Sequence, residues 1–444
     1  MLFVLADEWR RFIFFQDMSA PILLDGVPSF LARPGSSQLS RRRFLKHAAL
    51  TASAGAMSTS LLRTLGQETT ELPFENGERP LVAYPQKRPL LRLTTRPPQL
   101  ETPFALFNEG LITPNDAFFV RYHLTKSPPE EAELAPDKFR LQVAGKVNAP
   151  VSFTVAELKS QFEPAEIIAV NQCSGNSRGF VLPRVPGGQS GHGMMGNARW
   201  KGVRLKDVLR KAGVEAGARQ ITFNGLDAPA LPATPDFIKA IDIDHALAGE
   251  VLLAHEMNGE ELPWLNGYPL RLVVPGYYGT YWIKHLHEIT VISEVFNGYW
   301  MNPAYRIPDN ACACVPPGTK PDKTAPIARF NVRSFFTNIA DGVKLKVGAL
   351  TMLRGIAFDG GDGIREVQIS DDGGRTWRGA ELGQDLGKYS FREWTAPFTP
   401  KTAGSYALKV KATSHAGQTQ PLDPLWNPAG YMRNVVETVN ITAA

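Results

Sequence analysis

The chain has 444 residues, of which 43% are hydrophobic and 20% are charged, proportions that are typical of a globular protein. This composition excludes wholesale disorder, a collagen-like repeat and a polytopic membrane protein, and the length corresponds to about three structural units. The formal net charge is +5, but the first 66 residues carry 8 basic and 4 acidic side chains and so account for most of it. The remainder is nearly neutral, so neither nucleic-acid binding nor a membrane span is expected.

Residues 1–66 are predicted to be an N-terminal extension and an export signal. Residues 40–46 read SRRRFLK, and a weakly apolar stretch of small residues follows up to about residue 65. Paired arginines before a mild hydrophobic region are typical of a twin-arginine signal. This route exports folded proteins, so the sequence predicts a periplasmic protein that acquires a cofactor before export.

The rest of the chain is predicted to contain an arm and two folded domains. Residues 67–105 are rich in proline and charge without a steady period, and are predicted to be an extended arm. Residues 106–310 alternate short β-type runs with helical patterns, which predicts an α+β domain. A linker follows up to residue 325, and residues 326–444 show short β-branched runs between turn clusters. That pattern predicts an all-β, immunoglobulin-like sandwich.

Within the α+β part, the clearest local signals lie between residues 141 and 170. Residues 141–145 (LQVAG) are strand-like, and residues 167–170 (IIAV) are predicted to be a buried strand. A short helix is expected over residues 154–162, because Thr154 can cap it and Glu157 follows three residues later. The buried strand leads directly to Cys173.

Three cysteines are too few for a disulfide framework. Cys173 precedes a run of turn-forming residues and is therefore expected at a strand end that faces a cavity. It can be a nucleophile, a soft metal ligand or an ordinary buried thiol; the export signal for a folded protein favours the metal. For Cys312 and Cys314, free thiols, a strained disulfide and a metal site stay open. The pair His285 and His287 is weak evidence for another metal site.

Basic residues in apolar surroundings point to an anion. Arg271 lies inside a hydrophobic strand, which is costly unless it meets an anion or a carboxylate. Together with Arg121, Arg178 and Lys284 it indicates an anionic ligand, a phosphate-bearing cofactor or both, although structural ion pairs are the alternative. The glycine-rich segment 187–193 lacks the lysine of a phosphate-binding loop and is predicted to cover the mouth of the site.

These motifs resemble, in the same order along the chain, those of the sulfite oxidase family of molybdopterin enzymes. The matching segments of the catalytic part are FVRYH at 119–123, CSGNSR at 173–178, ARW at 198–200 and LRLVVPG at 270–276. Residues 372–377 (DGGRTW) and 426–431 (WNPAGY) resemble the dimerisation domain of that family. The likeness runs from about residue 85 to 440, and the bacterial sulfite:cytochrome c oxidoreductases are the branch that the chain resembles most.

The resemblance implies a molybdenum–molybdopterin cofactor, and no haem is expected because the chain has no C-x-x-C-H motif. It implies that Cys173 is the thiolate ligand of molybdenum. The implied substrate-pocket residues are Arg121, Arg178 and Tyr305. The implied cofactor contacts are Tyr122, His123, Asp227, Asn266, Arg271 and Lys284, the last two on the phosphate. Asn266 stands where the family has a histidine, so this contact carries no charge.

The implied reaction is the oxidation of sulfite to sulfate, with electrons passed to a c-type cytochrome. The implied assembly is a homodimer or a heterodimer with a cytochrome subunit. A sulfane-sulfur dehydrogenase of the same fold and a non-catalytic secreted module stay open as alternatives. A sulfoxide reductase fits less well, because Arg121 and Arg178 suit a small anion better than a neutral substrate.

Overall fold

The computed structural model describes residues 68–130 and 133–444. The predicted extension and twin-arginine signal lie outside these residues. In the described part the chain is mainly β, and its three α-helices are α1 (Val155–Gln161), α2 (Leu205–Ala212) and α3 (Ile243–Leu247). None of the helices described there is long and apolar enough for a membrane crossing.

The first five strands form an antiparallel sheet in sequence order. They are β1 (Thr69–Glu71), β2 (Glu78–Tyr84), β3 (Lys87–Thr94), β4 (Gln99–Glu101) and β5 (Val120–Arg121). The sequence predicts an extended arm for residues 67–105, whereas the structure pairs most of this segment into the sheet. The reason is a small apolar core of Leu90, Leu100, Val120, Tyr122 and Leu265, whose burial favours folding of the arm onto the domain.

Two further sheets build the body of the first domain around one hydrophobic core. One has the order β11-β10-β15-β6-β7 and the other β13-β12-β9-β8, with β14 beside β12. The first comprises β6 (Leu141–Gly145), β7 (Val151–Phe153), β10 (Gln220–Gly225), β11 (Lys239–Asp242) and β15 (Leu286–Ile292). The second comprises β8 (Pro164–Gln172), β9 (Met195–Arg204), β12 (Leu252–Met257), β13 (Glu260–Glu261) and β14 (Arg271–Val273).

The local signals in the sequence are confirmed. Strand β6 covers the predicted residues 141–145. Helix α1 has the expected capping box, in which the Thr154 hydroxyl accepts from the Glu157 amide and the Glu157 carboxylate accepts from the Thr154 amide. The helical share of the α+β domain is nevertheless smaller than the alternating pattern predicts. Its helices are short because turn residues end them early, as Gly213 does for α2 with φ of 72°.

The predicted linker contains a short hairpin and a disulfide. Strands β16 (Arg306–Pro308) and β17 (Thr324–Pro326) pair antiparallel. Between them a disulfide bond joins Cys312 and Cys314. Of the three alternatives that the sequence leaves open for these cysteines, the structure shows the disulfide.

The second domain is all-β, as the sequence predicts, and consists of two sheets on a shared core that includes Leu353, Val367, Trp394 and Leu408. One sheet has the order β18-β20-β24-β23 and the other β19-β26-β25-β21-β22. The first comprises β18 (Arg333–Phe336), β20 (Thr351–Phe358), β23 (Glu381–Leu382) and β24 (Arg392–Phe398). The second comprises β19 (Lys344–Leu345), β21 (Ile364–Ser370), β22 (Arg378–Gly379), β25 (Gly404–Ser414) and β26 (Glu437–Ala443).

The two domains meet at the loop that follows β8. Arg333 at the start of β18 is buried, and its Nη2 donates to the Ser177 hydroxyl at 3.0 Å and to the Glu437 carboxylate at 3.1 Å. The Met432 amide donates to the Ser174 carbonyl at 3.1 Å. The second domain thus holds the loop that begins at Cys173.

Candidate active site

A cavity lies where the ends of several strands meet. Eight of the ten site residues inferred from the sequence line it: Arg121, His123, Cys173, Asp227, Asn266, Arg271, Lys284 and Tyr305. Tyr122 and Arg178 are not among the lining residues.

Cys173 lies at the end of β8 and faces this cavity, as the sequence predicts. Its amide donates to the Met194 carbonyl at 2.9 Å and its carbonyl accepts from the Asn176 amide at 3.0 Å, which turns the chain sharply after the strand. Within the described residues no group of three or more His, Cys, Asp or Glu side chains is placed to hold a metal ion. A metal at Cys173 would therefore take other ligands from a cofactor or solvent.

Several buried polar atoms of the cavity wall have no hydrogen-bond partner in the protein. They are both amide atoms of Asn171, the hydroxyls of Ser174 and Thr280, and Nε of Arg271. A buried polar group without a partner costs about 1–3 kcal/mol. These unpartnered donors and acceptors could hydrogen-bond to a polar ligand in the cavity, such as the molybdopterin that the motifs imply.

Positive charge is concentrated at one end of the cavity. Arg271 is buried between Trp200 and Trp282, its guanidinium carbon 5.2 Å and 5.8 Å from their ring centroids, and burial lowers its pKa to about 9. Lys284 donates to the Arg121 carbonyl at 2.6 Å. Desolvation, and then the charge of Arg271, lower the pKa of Lys284 to about 7.

The carboxylates near this charge are too few to neutralise it. Asp227 is buried in the wall, and burial raises its pKa to about 6 even though Lys284 opposes the shift. Among the described residues no carboxylate lies within ion-pair distance of Arg271, Lys284 or Arg121. The ion-pair alternative for Arg271 therefore has no partner, and the wall is suited to an anion.

Tyr122 lies behind the wall and supports it. Its hydroxyl donates to Nε2 of His285 at 2.6 Å, while Nδ1 of His285 donates to the Tyr268 carbonyl at 2.6 Å. The Lys284 ammonium lies 4.1 Å from the centroid of the Tyr122 ring. Both nitrogens of His285 are thus occupied and burial lowers its pKa to about 3, so the alternative of a His285–His287 metal site gains no support.

Aromatic side chains also line the cavity. Tyr305 is hydrogen-bonded through its hydroxyl to Nε2 of His123, and the His123 ring stacks on Phe237 with centroids 3.8 Å apart. Desolvation and the charges of Arg121 and Lys284 hold the pKa of His123 well below its usual value. Burial raises the pKa of Tyr305. Both side chains are therefore neutral near pH 7.

Arg178 is held against the second domain. Its Nε donates to the Ala429 carbonyl at 3.0 Å, and its guanidinium carbon lies 5.1 Å from the centroid of the Tyr431 ring. Tyr431 in turn stacks on Tyr305, with centroids 5.4 Å apart and planes at 4°. Arg178 is thus one aromatic ring away from the cavity.

Some residues of the site were not inferred from the sequence. Tyr431 is the last residue of the motif at 426–431. That motif does not indicate that a residue of the second domain packs against Tyr305 in the cavity wall. Asn171 and Thr280 are ordinary residues of a strand end and a tyrosine-rich turn. Lys239 is buried beside Tyr305, its ammonium 5.0 Å from the ring centroid, and nothing in its local sequence marks it.

Comparisons with known proteins identify the class. The family model "Oxidoreductase molybdopterin binding domain" matches residues 126–300, and "Mo-co oxidoreductase dimerisation domain" matches residues 324–444. The cavity with Cys173 at its wall thus lies in a molybdopterin-binding oxidoreductase domain, followed by a dimerisation domain.

The relatives narrow the class to a family. The sulfite oxidase of Gallus gallus is 33% identical over 373 residues, 80% of this chain and 79% of that protein. The mitochondrial sulfite oxidase of Homo sapiens is 32% identical over 85% of this chain and 70% of that protein. The sulfane dehydrogenase SoxCD from Paracoccus pantotrophus shares the fold, with a TM-score of 0.66 and 22% identity over 84% of this chain and 87% of its own. The chain belongs to the sulfite oxidase family, which confirms the resemblance seen in its motifs.

Proposed function

We propose that this protein oxidises sulfite to sulfate and passes the electrons to a c-type cytochrome. The observation that carries the proposal is the pairing of a cavity-facing thiol, Cys173, with the unneutralised cations Arg121, Arg271 and Lys284 on the same wall. The thiol suits a soft metal, and the cations suit a phosphate-bearing cofactor and an anionic substrate.

In this proposal, the bound molybdenum centre supplies the redox step that removes an electron pair from the substrate. Cys173 would be its thiolate ligand, with Arg271 and Lys284 on the cofactor phosphate. Arg121 would bind sulfite oxygens, and Arg178 would add its positive charge from its position beside Tyr431. The neutral Tyr305–His123 pair would orient the substrate through the tyrosine hydroxyl, so that the attraction for the anion comes from the arginines.

The first test is a sulfite-dependent cytochrome c reduction assay on the purified, molybdenum-containing protein. We expect cytochrome c to be reduced rapidly with sulfite and only slightly with thiosulfate. A parallel assay for reduction of a sulfoxide should show little turnover. The variant Cys173→Ser should keep the fold by circular dichroism and lose turnover. Retained turnover in Cys173→Ser, or a preference for thiosulfate, would contradict the proposal, and the second result would favour a sulfane-sulfur substrate.

We propose further that the protein acts in the periplasm and that its second domain is an immunoglobulin-like dimerisation module. The twin-arginine motif at residues 41–42 supports the location. The match of residues 324–444 to a dimerisation model supports a homodimer, and a heterodimer with a cytochrome subunit would bring the electron acceptor to the same enzyme.

A further inference from the structure

A buried lysine lies behind the positively charged end of the cavity. Lys87 begins strand β3 in the N-terminal sheet and is 7% exposed. Its ammonium donates to the Asn115 carbonyl at 2.5 Å and to Oδ1 of Asn266 at 2.5 Å. Lys87 is not part of the cavity wall, but Asn266 is.

The charge of Lys87 is not neutralised by a contacting carboxylate. Among the described residues no acidic oxygen lies within ion-pair distance of its ammonium, and the nearby Asp116 is paired with Arg88 at 2.8 Å. Burial lowers the pKa of Lys87 to about 7; the charge of Asp116 opposes this shift and the charge of Arg271 adds to it. A buried cation that has only carbonyl and amide partners costs stability in the protein alone. Such a cost is recovered when an anion binds nearby.

Asn266 connects this charge to the cavity. Its Oδ1 accepts from Lys87, and its Nδ2 donates to the Phe119 carbonyl at 3.1 Å. These two bonds assign the oxygen and the nitrogen of the Asn266 side-chain amide. One N–H of Nδ2 has no hydrogen-bond partner among the described residues. The Asn266 carbonyl also accepts from Nη1 of Arg271 at 2.8 Å. One residue thus contacts both buried cations.

We propose that Lys87 is a positioning residue for the anionic end of the cofactor, acting through Asn266. Its charge polarises and orients the Asn266 amide so that the remaining N–H faces the phosphate held by Arg271 and Lys284. This inference rests on the proposed function, because it takes the pterin phosphate as the anion. It assigns to the N-terminal sheet, which lies outside the family model at residues 126–300, a part in holding the cofactor.

The test compares full-length Lys87→Met, Lys87→Arg and the control Arg88→Met, all produced in cells that make the cofactor. Arg88 is the neighbour of Lys87 but forms a half-exposed ion pair. Molybdenum and pterin per chain are measured after purification, and the rate of pterin release is followed in buffer. We expect about tenfold faster release from Lys87→Met, which corresponds to about 1.4 kcal/mol. Lys87→Arg and Arg88→Met should stay close to the unaltered chain.

A second measurement separates this role from a structural one. The same chains are made in cells that lack the pterin pathway, and their thermal unfolding is compared. In the Lys87→Met apoprotein the removal of a buried charge stabilises the fold, whereas the Asn115 carbonyl and Asn266 Oδ1 lose their donor. The two effects oppose each other, so this apoprotein should stay folded at the temperature of the release assay. Asn266→Asp, which gives Lys87 a carboxylate partner but puts negative charge on the wall, should also release pterin faster.

Unchanged pterin release from Lys87→Met, or an apoprotein of this variant that is already unfolded at the temperature of the release assay, would overturn the role of Lys87. Retention of pterin by Asn266→Asp would do the same. A different result, in which the unaltered chain itself carries neither molybdenum nor pterin, would overturn the proposed function together with this inference.

Discussion

Arg178 could be identified as a candidate site residue from the sequence, but its contacts in the structure could not be predicted. The motif at residues 173–178 implies a substrate role for it, but the structure packs its guanidinium on Tyr431 and the Ala429 carbonyl. Both partners are more than 250 residues away along the chain. The local motif therefore indicates Arg178 as a candidate residue, but it cannot indicate that Tyr431 and the Ala429 carbonyl contact it.

We expect Arg178→Ala to raise the KM for sulfite by about tenfold or more, because a charged partner of the anion is lost. The value of kcat should fall less, since Cys173 and Tyr305 are untouched. Steady-state kinetics against sulfite concentration measures both. Arg184→Ala is the matched control, because Arg184 is exposed and donates to the Glu75 carbonyl. An unchanged kcat/KM in Arg178→Ala would refute the substrate role.

At the residue scale, most of the candidate site could be predicted. Cys173, Arg271 and Lys284 stand out because a thiol after a buried strand and cations in apolar segments are chemically conspicuous. Asn171, Thr280 and Lys239 could not be found, because each becomes notable only when burial leaves it without a partner or beside an aromatic ring.

At the scale of elements, the loop at residues 187–193 is anchored from the N-terminal sheet. Glu101, at the end of β4, is buried and its carboxylate accepts from the amides of Gly191 at 3.0 Å and Gly193 at 2.8 Å. The Gly191 carbonyl accepts from the Ser177 amide at 2.8 Å. A Cβ on Gly193 would lie 1.9 Å from the Thr102 carbonyl oxygen, so this turn requires glycine.

Glu101→Gln should therefore destabilise the protein by about 1–3 kcal/mol, because one acceptor oxygen is replaced by an NH₂ group that faces a backbone N–H. Urea unfolding of the loaded protein measures the change. Glu109→Gln is the control, since Glu109 is exposed and takes part in one long ion pair of 3.8 Å. Equal stability changes in the two variants would show that the two buried bonds do not matter.

Elements with local causes are those that the sequence predicts well. Helix α1 depends on a capping box within four residues, and β6 on an alternating run of five. The N-terminal sheet depends instead on pairing between strands and on contacts with Leu265, far along the chain. Its proline-rich strands lack a clear period, so the sequence suggests an arm where the structure has a sheet.

At the scale of the whole molecule, three buried or cavity-lining lysines among the described residues contribute to the dependence of stability on pH. The pKa values of Lys87, Lys239 and Lys284 are each lowered to about 7, mainly by desolvation. In the unfolded chain they would titrate near about 10.4. Between these values the unfolded chain binds more protons than the folded one, so stability rises with pH. Glu101 and Asp227, with pKa values raised to about 7 and 6, act in the opposite direction only below pH 7.

The protein without its cofactor should therefore melt at least about 2 °C higher at pH 9 than at pH 7. The loaded protein should show a smaller rise, because a bound anion keeps Lys87 and Lys284 protonated. Differential scanning calorimetry of both forms across this range measures the two slopes. A flat or falling melting temperature of the apoprotein would contradict the prediction.

The contact of residues 429–432 with the Cys173 loop and with Arg178 has a consequence for how such proteins can diversify. A chimera that joined this first domain to the second domain of a relative would import a foreign neighbour for Arg178 and Tyr305. With the substrate role proposed for Arg178, substrate preference would then depend partly on the second domain. Recombination within this family should consequently favour crossovers that keep the 429–432 turn together with the 173–178 loop, even though the two are far apart in the chain.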